Sequence, residues 1–80
     1  MQIEPTHLDT ASYLTVRQRR VIACVAQGMS NTDIATALFI SLSTVERELR
    51  RARRTLRAAN RAELVANAAC RGLIGIQRSR

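Results

Sequence analysis

Apolar residues recur at three- and four-residue spacings in four stretches of the chain, each opened by a residue type that caps helices. Thr15 with Gln18 three residues on forms a capping box, followed by Val21, Ile22, Cys24 and Val25, and Gly28 supplies a left-handed stop. Ser30 with Asp33 marks a second start, with Asn31 as an alternative cap, and Ile34, Ala35 and Leu38 predict a short helix over 31–39. A connector of Ile40, Ser41 and Leu42 follows. Ser43 with Glu46 reads as the next capping box, opening a helix over 43–57. Asn60 with Glu63 opens the last helix, which carries Leu64, Val65, Ala68 and Ala69 and ends near Gly72. Residues 1–13, holding the only proline, Pro5, read as a leader; 14–76 form the domain, and 77–80 a polar tail after the apolar Leu73, Ile74 and Ile76.

Composition agrees with four packed helices. Eighty residues make one domain at most, and 46% are hydrophobic, enough for a compact core. With one Tyr, one Phe and no Trp, that core is built from Leu, Ile, Val and Ala, which suits helices better than a sheet. The fold class expected is all-α. Small Ala35 and Ala37 are expected to let the second and third helices approach closely.

Charge changes the picture more. The net charge is +7, and all thirteen basic residues are Arg. Clustered cations gain affinity for a polyanion by releasing its counterions, although a coding bias toward Arg would give the same total. Placement separates the two readings. In 43–57, Val45, Leu49, Ala52 and Leu56 fall on one buried stripe, and Arg47, Arg50, Arg51 and Arg54 on the opposite side. Arg53 and Arg57 lie on one flank and Glu48 on the other. Four like charges on one face repel one another in the free protein, a cost that a phosphate backbone would relieve. A helix of this width fits the B-DNA major groove, where Arg bonds guanine bidentately. The short helix before it completes a helix-turn-helix layout, with Ser30, Asn31 and Thr32 at a helix start that favours phosphate.

Other chemistry is sparse. Cys24 and Cys70 sit far apart among apolar residues and read as small core residues in a reducing compartment. His7, the only histidine, has no neighbouring ligand or carboxylate cluster, so no metal, cofactor or catalytic constellation is expected. The longest apolar run, Val21 to Ala26, is far too short to span a bilayer, and residues 1–9 lack the pattern of a secretory signal, which predicts a cytoplasmic protein.

The motifs Leu14-Thr15-Val16-Arg17, Ala26-Gln27-Gly28, Ser30-Asn31 with Ile34-Ala35 and Leu38, Ile40-Ser41, Ser43-Thr44-Val45 and Asn60-Arg61-Ala62-Glu63-Leu64-Val65 together resemble the LuxR-type helix-turn-helix. The resemblance covers about residues 14–74 and is to the stand-alone, single-domain members. It implies a four-helix bacterial transcription factor whose third helix enters the major groove and whose fourth serves dimerisation. Arg47 and Arg50 fall on its base-reading positions, as does Glu46, which either closes a capping box or accepts from a cytosine amino group. Thr44, Arg51, Arg54, Arg61, Asn31 and Thr32 are the expected DNA-backbone contacts. Ala62, Ala66 and Ala69 would let two fourth helices meet in a homodimer.

The sequence departs from the family pattern at four places. Gln18 and Arg20 stand where Glu is usual, Glu46 where Lys is usual, and Glu48 where His is usual. The partner expected is double-stranded DNA, with RNA polymerase or another regulator as further partners. Glu46 and Glu48, read as lying on or near the groove side, motivate an alternative in which the fold serves as a protein adaptor binding another regulator. Arg51-Ala52-Arg53-Arg54 with Leu56-Arg57 also resembles the last helix of sigma-factor region 4. A basic amphipathic helix on an anionic membrane is disfavoured by the lack of aromatic anchors.

Overall fold

A computed structural model describes residues 14–75, which form four helices with no strand among them: α1 (Val16–Ala26), α2 (Asn31–Leu38), α3 (Leu42–Thr55) and α4 (Arg61–Cys70). Of the expected leader and tail, residues 1–13 and 76–80, including His7 and Ile76, lie outside the described residues.

Each helix begins on a side chain that takes a free backbone amide. Thr15 Oγ1 accepts from Gln18 N (2.9 Å) while Gln18 Oε1 accepts from Thr15 N (3.1 Å), closing the expected box. Ser30 and Asp33 do the same for α2, at 3.1 and 3.4 Å. Asn60 Oδ1 accepts from Glu63 N at 2.9 Å, but the Glu63 carboxylate reaches one residue further back, to Ala59 N at 2.8 Å. The third start differs from the expected one. Ser41, not Ser43, caps α3, its Oγ accepting from Thr44 N at 3.0 Å. The helix therefore begins at Leu42, which is no longer connector, and Glu46 closes no capping box.

All four helices end with one device, in which an amide beyond a left-handed residue reaches back five positions to a helix carbonyl. These bonds are Met29 N to Cys24 O (3.2 Å), Ile40 N to Ala35 O (3.0 Å), Ala58 N to Arg53 O (2.9 Å) and Leu73 N to Ala68 O (2.9 Å). The left-handed residues are Gly28 (φ 87°), Phe39 (φ 59°), Arg57 (φ 54°) and Gly72 (φ 70°). At the two glycines the conformation is free of the Cβ clash; at Phe39 and Arg57 it costs about 1 kcal/mol each. Both strained positions border α3. Phe39 ends α2 one residue early and turns the chain so tightly that Ile40 and Ser41 complete the connector. Arg57 lies past the helix end and not on its flank.

The core is aliphatic throughout. Val21 and Ile22 of α1, Ile34 of α2, Val45 and Leu56 from α3 and its C-terminal cap, and Leu64 of α4 are almost wholly buried, and Leu73 and Ile74 pack against them. Burying a side chain of this size stabilises by about 1.5–3 kcal/mol, so these six carry much of the fold. The first and third helices each pack on all three others and together form the centre of the domain. Asn67 Nδ2 donates to Leu56 O (3.0 Å), tying α4 to the end of α3.

Two expectations about small residues are corrected. Cys24 packs against the core, but Cys70 is exposed, because it lies about 200° around α4 from the buried Ala68. Ala35 packs against the core, whereas Ala37 faces solvent, since Ile34 and Leu38 turn the other side of α2 inward.

Candidate nucleic-acid interface

The burial of Val45, Leu49, Ala52 and Leu56 sets the rotation of α3 about its own axis. Arg47, Arg50, Arg51 and Arg54 are therefore exposed on its far side. None of the four has a carboxylate within 4.0 Å among the described residues. Six guanidinium groups of residues 47–57 thus face outward around one helix and its end, a surface of strongly positive potential suited to a phosphate backbone.

Two hollows flank this face. One, of about 260 Å³, lies between Asn31 at the start of α2, Glu46, Arg50 and Arg53 on α3, and Arg61 on α4. The other, of about 470 Å³, is lined by Arg50, Arg53, Arg54 and Arg57. Arg50 and Arg53 border both, so the positive surface wraps around the flank of α3 toward α4.

The remaining sequence-predicted contacts take several positions. Glu46 is exposed and has no hydrogen-bond or ion-pair partner among the described residues. Thr44 is half-buried, and its hydroxyl accepts from Ser41 Oγ at 2.8 Å, with Ser43 Oγ 3.1 Å from the same Ser41 oxygen. Thr32 is exposed beside the first turn of α2. Arg61 Nη1 donates to Asn31 Oδ1 (2.8 Å) and Arg61 Nη2 to Met29 O (2.9 Å), so this pair braces the starts of α4 and α2 against each other. Arg53 Nη2 likewise holds Ala59 O at 2.7 Å across the α3–α4 turn. Neither brace was visible in the sequence, because an Arg fork finds carbonyls that no side-chain pattern marks. On α4, Ala62 and Ala66 are exposed and Ala69 half-buried, all within one narrow stripe.

Glu48 requires a correction. It is 7% exposed and faces α1, not the groove side. Gln18 Nε2 donates to Glu48 Oε1 at 3.0 Å, and Arg17 Nη1 stands 4.0 Å from Glu48 Oε2. The half-exposed Arg17 contributes little at that distance; the buried hydrogen bond is the stronger contact. Gln18 thus works at both ends, its oxygen capping α1 and its amide anchoring α3. Two of the four departures from the family pattern meet here. A carboxylate at 18 would repel Glu48, whereas the amide donates to it. Their joint departure was the one sequence signal for this contact. With Glu48 inside, half of the motive for the adaptor reading is gone.

Among the described residues no three His, Cys, Asp or Glu gather as metal ligands would, and no helix is long and apolar enough to cross a membrane.

Comparison with known proteins places this geometry in context. Residues 12–68 match the model for bacterial regulatory proteins of the luxR family. The HTH-type transcriptional regulator AlkS of Alcanivorax borkumensis is 36% identical over 70 residues, 88% of this chain and 8% of that protein. A putative HTH-type transcriptional regulator of Mycobacterium bovis is 44% identical over 59 residues, 74% of this chain and 7% of its own length. The monoamine regulon transcriptional regulator of Klebsiella aerogenes is 42% identical over 57 residues, 71% of this chain and 25% of that protein. The chain thus spans less than a tenth of the first two relatives and a quarter of the third.

Proposed function

The chain belongs to the LuxR family of bacterial regulatory proteins, and on that premise we propose that it binds duplex DNA sequence-specifically, with α3 lying in the major groove. The observation that carries this reading is the exposed stripe of Arg47, Arg50, Arg51 and Arg54, unpaired with any carboxylate among the described residues, on a helix whose other side is buried. Such a stripe lowers stability in the free protein and gains it back against phosphate. Arg47, Arg50 and Glu46 read base edges; Thr44, Arg51, Arg54, Arg61, Asn31 and Thr32 hold the backbone, the last three from the starts of α4 and α2. Two copies pair through Ala62, Ala66 and Ala69 of α4 and address half-sites about one helical turn apart.

In vitro selection of the protein on random duplex DNA at near-physiological salt tests this. Recovery of an inverted-repeat motif is the expected result. Binding without any enriched motif, vanishing as salt rises, would leave only charge attraction and overturn it. A single, unrepeated half-site would remove the dimer and leave the groove reading standing.

A further inference from the structure

We propose that the half-site under α3 is built on G·C pairs, with Glu46 selecting a cytosine next to guanines read by Arg47 and Arg50. This rests on the major-groove reading above and names what that surface recognises.

The helix Leu42–Thr55 contains no Asn or Gln, the side chains that bond adenine bidentately. Its outward long polar side chains are guanidinium groups, which match the paired acceptors of guanine, and a single carboxylate, Glu46. The hydroxyls of Ser43 and Thr44 serve either base pair, and that of Thr44 is already engaged by Ser41. The apolar groups able to meet a thymine methyl, exposed Leu42 and the methyl of half-buried Thr44, both lie in the first turn, so such contact is confined to the edge of the site.

Glu46 decides the rest. Among the described residues it has no cation within 4.0 Å, although it borders the same hollow as Arg50. A carboxylate carried unpaired into a polyanionic groove is repelled unless a base donates to it. Guanine and thymine present only acceptors there, so Glu46 rejects them. Adenine offers its amino group beside the N7 acceptor, which repels the second carboxylate oxygen. Cytosine offers its amino group with no acceptor adjacent on the same ring. Glu46 is therefore a cytosine reader that also excludes sites lacking one, while Arg50, one turn on, reaches a neighbouring guanine.

The test runs wild type and Glu46→Ala side by side through random-duplex selection, then measures both on the selected duplex and on a version with the cytosine replaced by thymine. Glu46 is exposed and bonded to none of the described residues, so the variant keeps the fold, which circular dichroism verifies. A G·C core is expected, with the cytosine replacement weakening wild type about tenfold and Glu46→Ala less than about twofold. Glu46→Ala is also expected to bind random DNA more tightly than wild type. An A·T core, or equal losses for both proteins, overturns the cytosine assignment and leaves sequence-specific binding intact. No enriched motif for either protein overturns the groove reading and this inference with it.

Discussion

Glu46 and Glu48 are two residues apart on one helix, chemically identical, and live in opposite surroundings. Glu48 is buried against α1 and holds the amide of Gln18. Glu46 stands about 200° away in solvent, on a hollow it shares with Arg50, Arg53 and Arg61, and bonded to none of them. The first is part of what sets α3 at its angle to α1. The second is free to be spent on a ligand. An acidic residue on a basic helix is thus not one kind of signal: which side of the helix another element covers decides whether it braces the fold or stays exposed to solvent.

That contrast can be broken most sharply at Gln18. Gln18→Glu preserves the capping acceptor but sets two carboxylates against each other in a buried place, and we expect a loss of about 2–3 kcal/mol in urea unfolding. Adding Glu48→His supplies a donor again and should restore at least half of that loss, whereas Glu46→Ala alone should stay within about 0.5 kcal/mol of wild type. A Gln18→Glu protein of unchanged stability would show that the Glu48 contact contributes nothing.

On the open side, the expected effects are on binding. Arg50→Ala should lose about 1–3 kcal/mol on the selected site and relax its preference, while Arg54→Ala weakens all duplexes alike and lowers the salt slope by about one. Equal losses for both variants on selected and random DNA would erase the division between base and backbone contacts. Arg61→Ala sits between the two sides, since it removes the brace to Asn31 and Met29; a stability loss of about 1 kcal/mol is expected with a uniform loss of DNA affinity. Stability unchanged, with affinity reduced, would make Arg61 a phosphate contact only.

The smallest effect concerns the edge of α3. Phe39 is 93% exposed and left-handed, so its ring adds almost nothing to the core while its backbone is strained. Phe39→Gly relieves the strain but gives the unfolded chain more freedom, leaving an expected gain of about 0.5 kcal/mol in thermal unfolding. A clear loss instead would mean that the ring packs on something in solution.

Much of the fold was legible because helix signals are local. The capping boxes at Thr15 and Ser30, the Asn60 cap and the stops at Gly28 and Gly72 each act within five residues, and all are found in place. The stripe of Val45, Leu49, Ala52 and Leu56 follows from helical periodicity alone, and it carried the Arg face outward with it. The ends of α3 were misread for an equally physical reason. Ser41 and Ser43 are both competent caps, and nothing local marks Phe39 or Arg57 as left-handed, a conformation that residue preference assigns to glycine.

The four helices, the buried side of each and the side bearing the Arg charges were determined by the sequence itself, since turns and periodicity are written in neighbouring residues. The tertiary structure alone decided that Glu48 lies inside, that Cys70 and Ala37 lie outside, and that Arg53 and Arg61 are tethered to backbone carbonyls. Helical spacing gives the angle of a side chain around its own axis. What covers that angle is supplied by another helix, 30 residues away for Gln18 and Glu48 as for Arg61 and Asn31, and only packing brings it there.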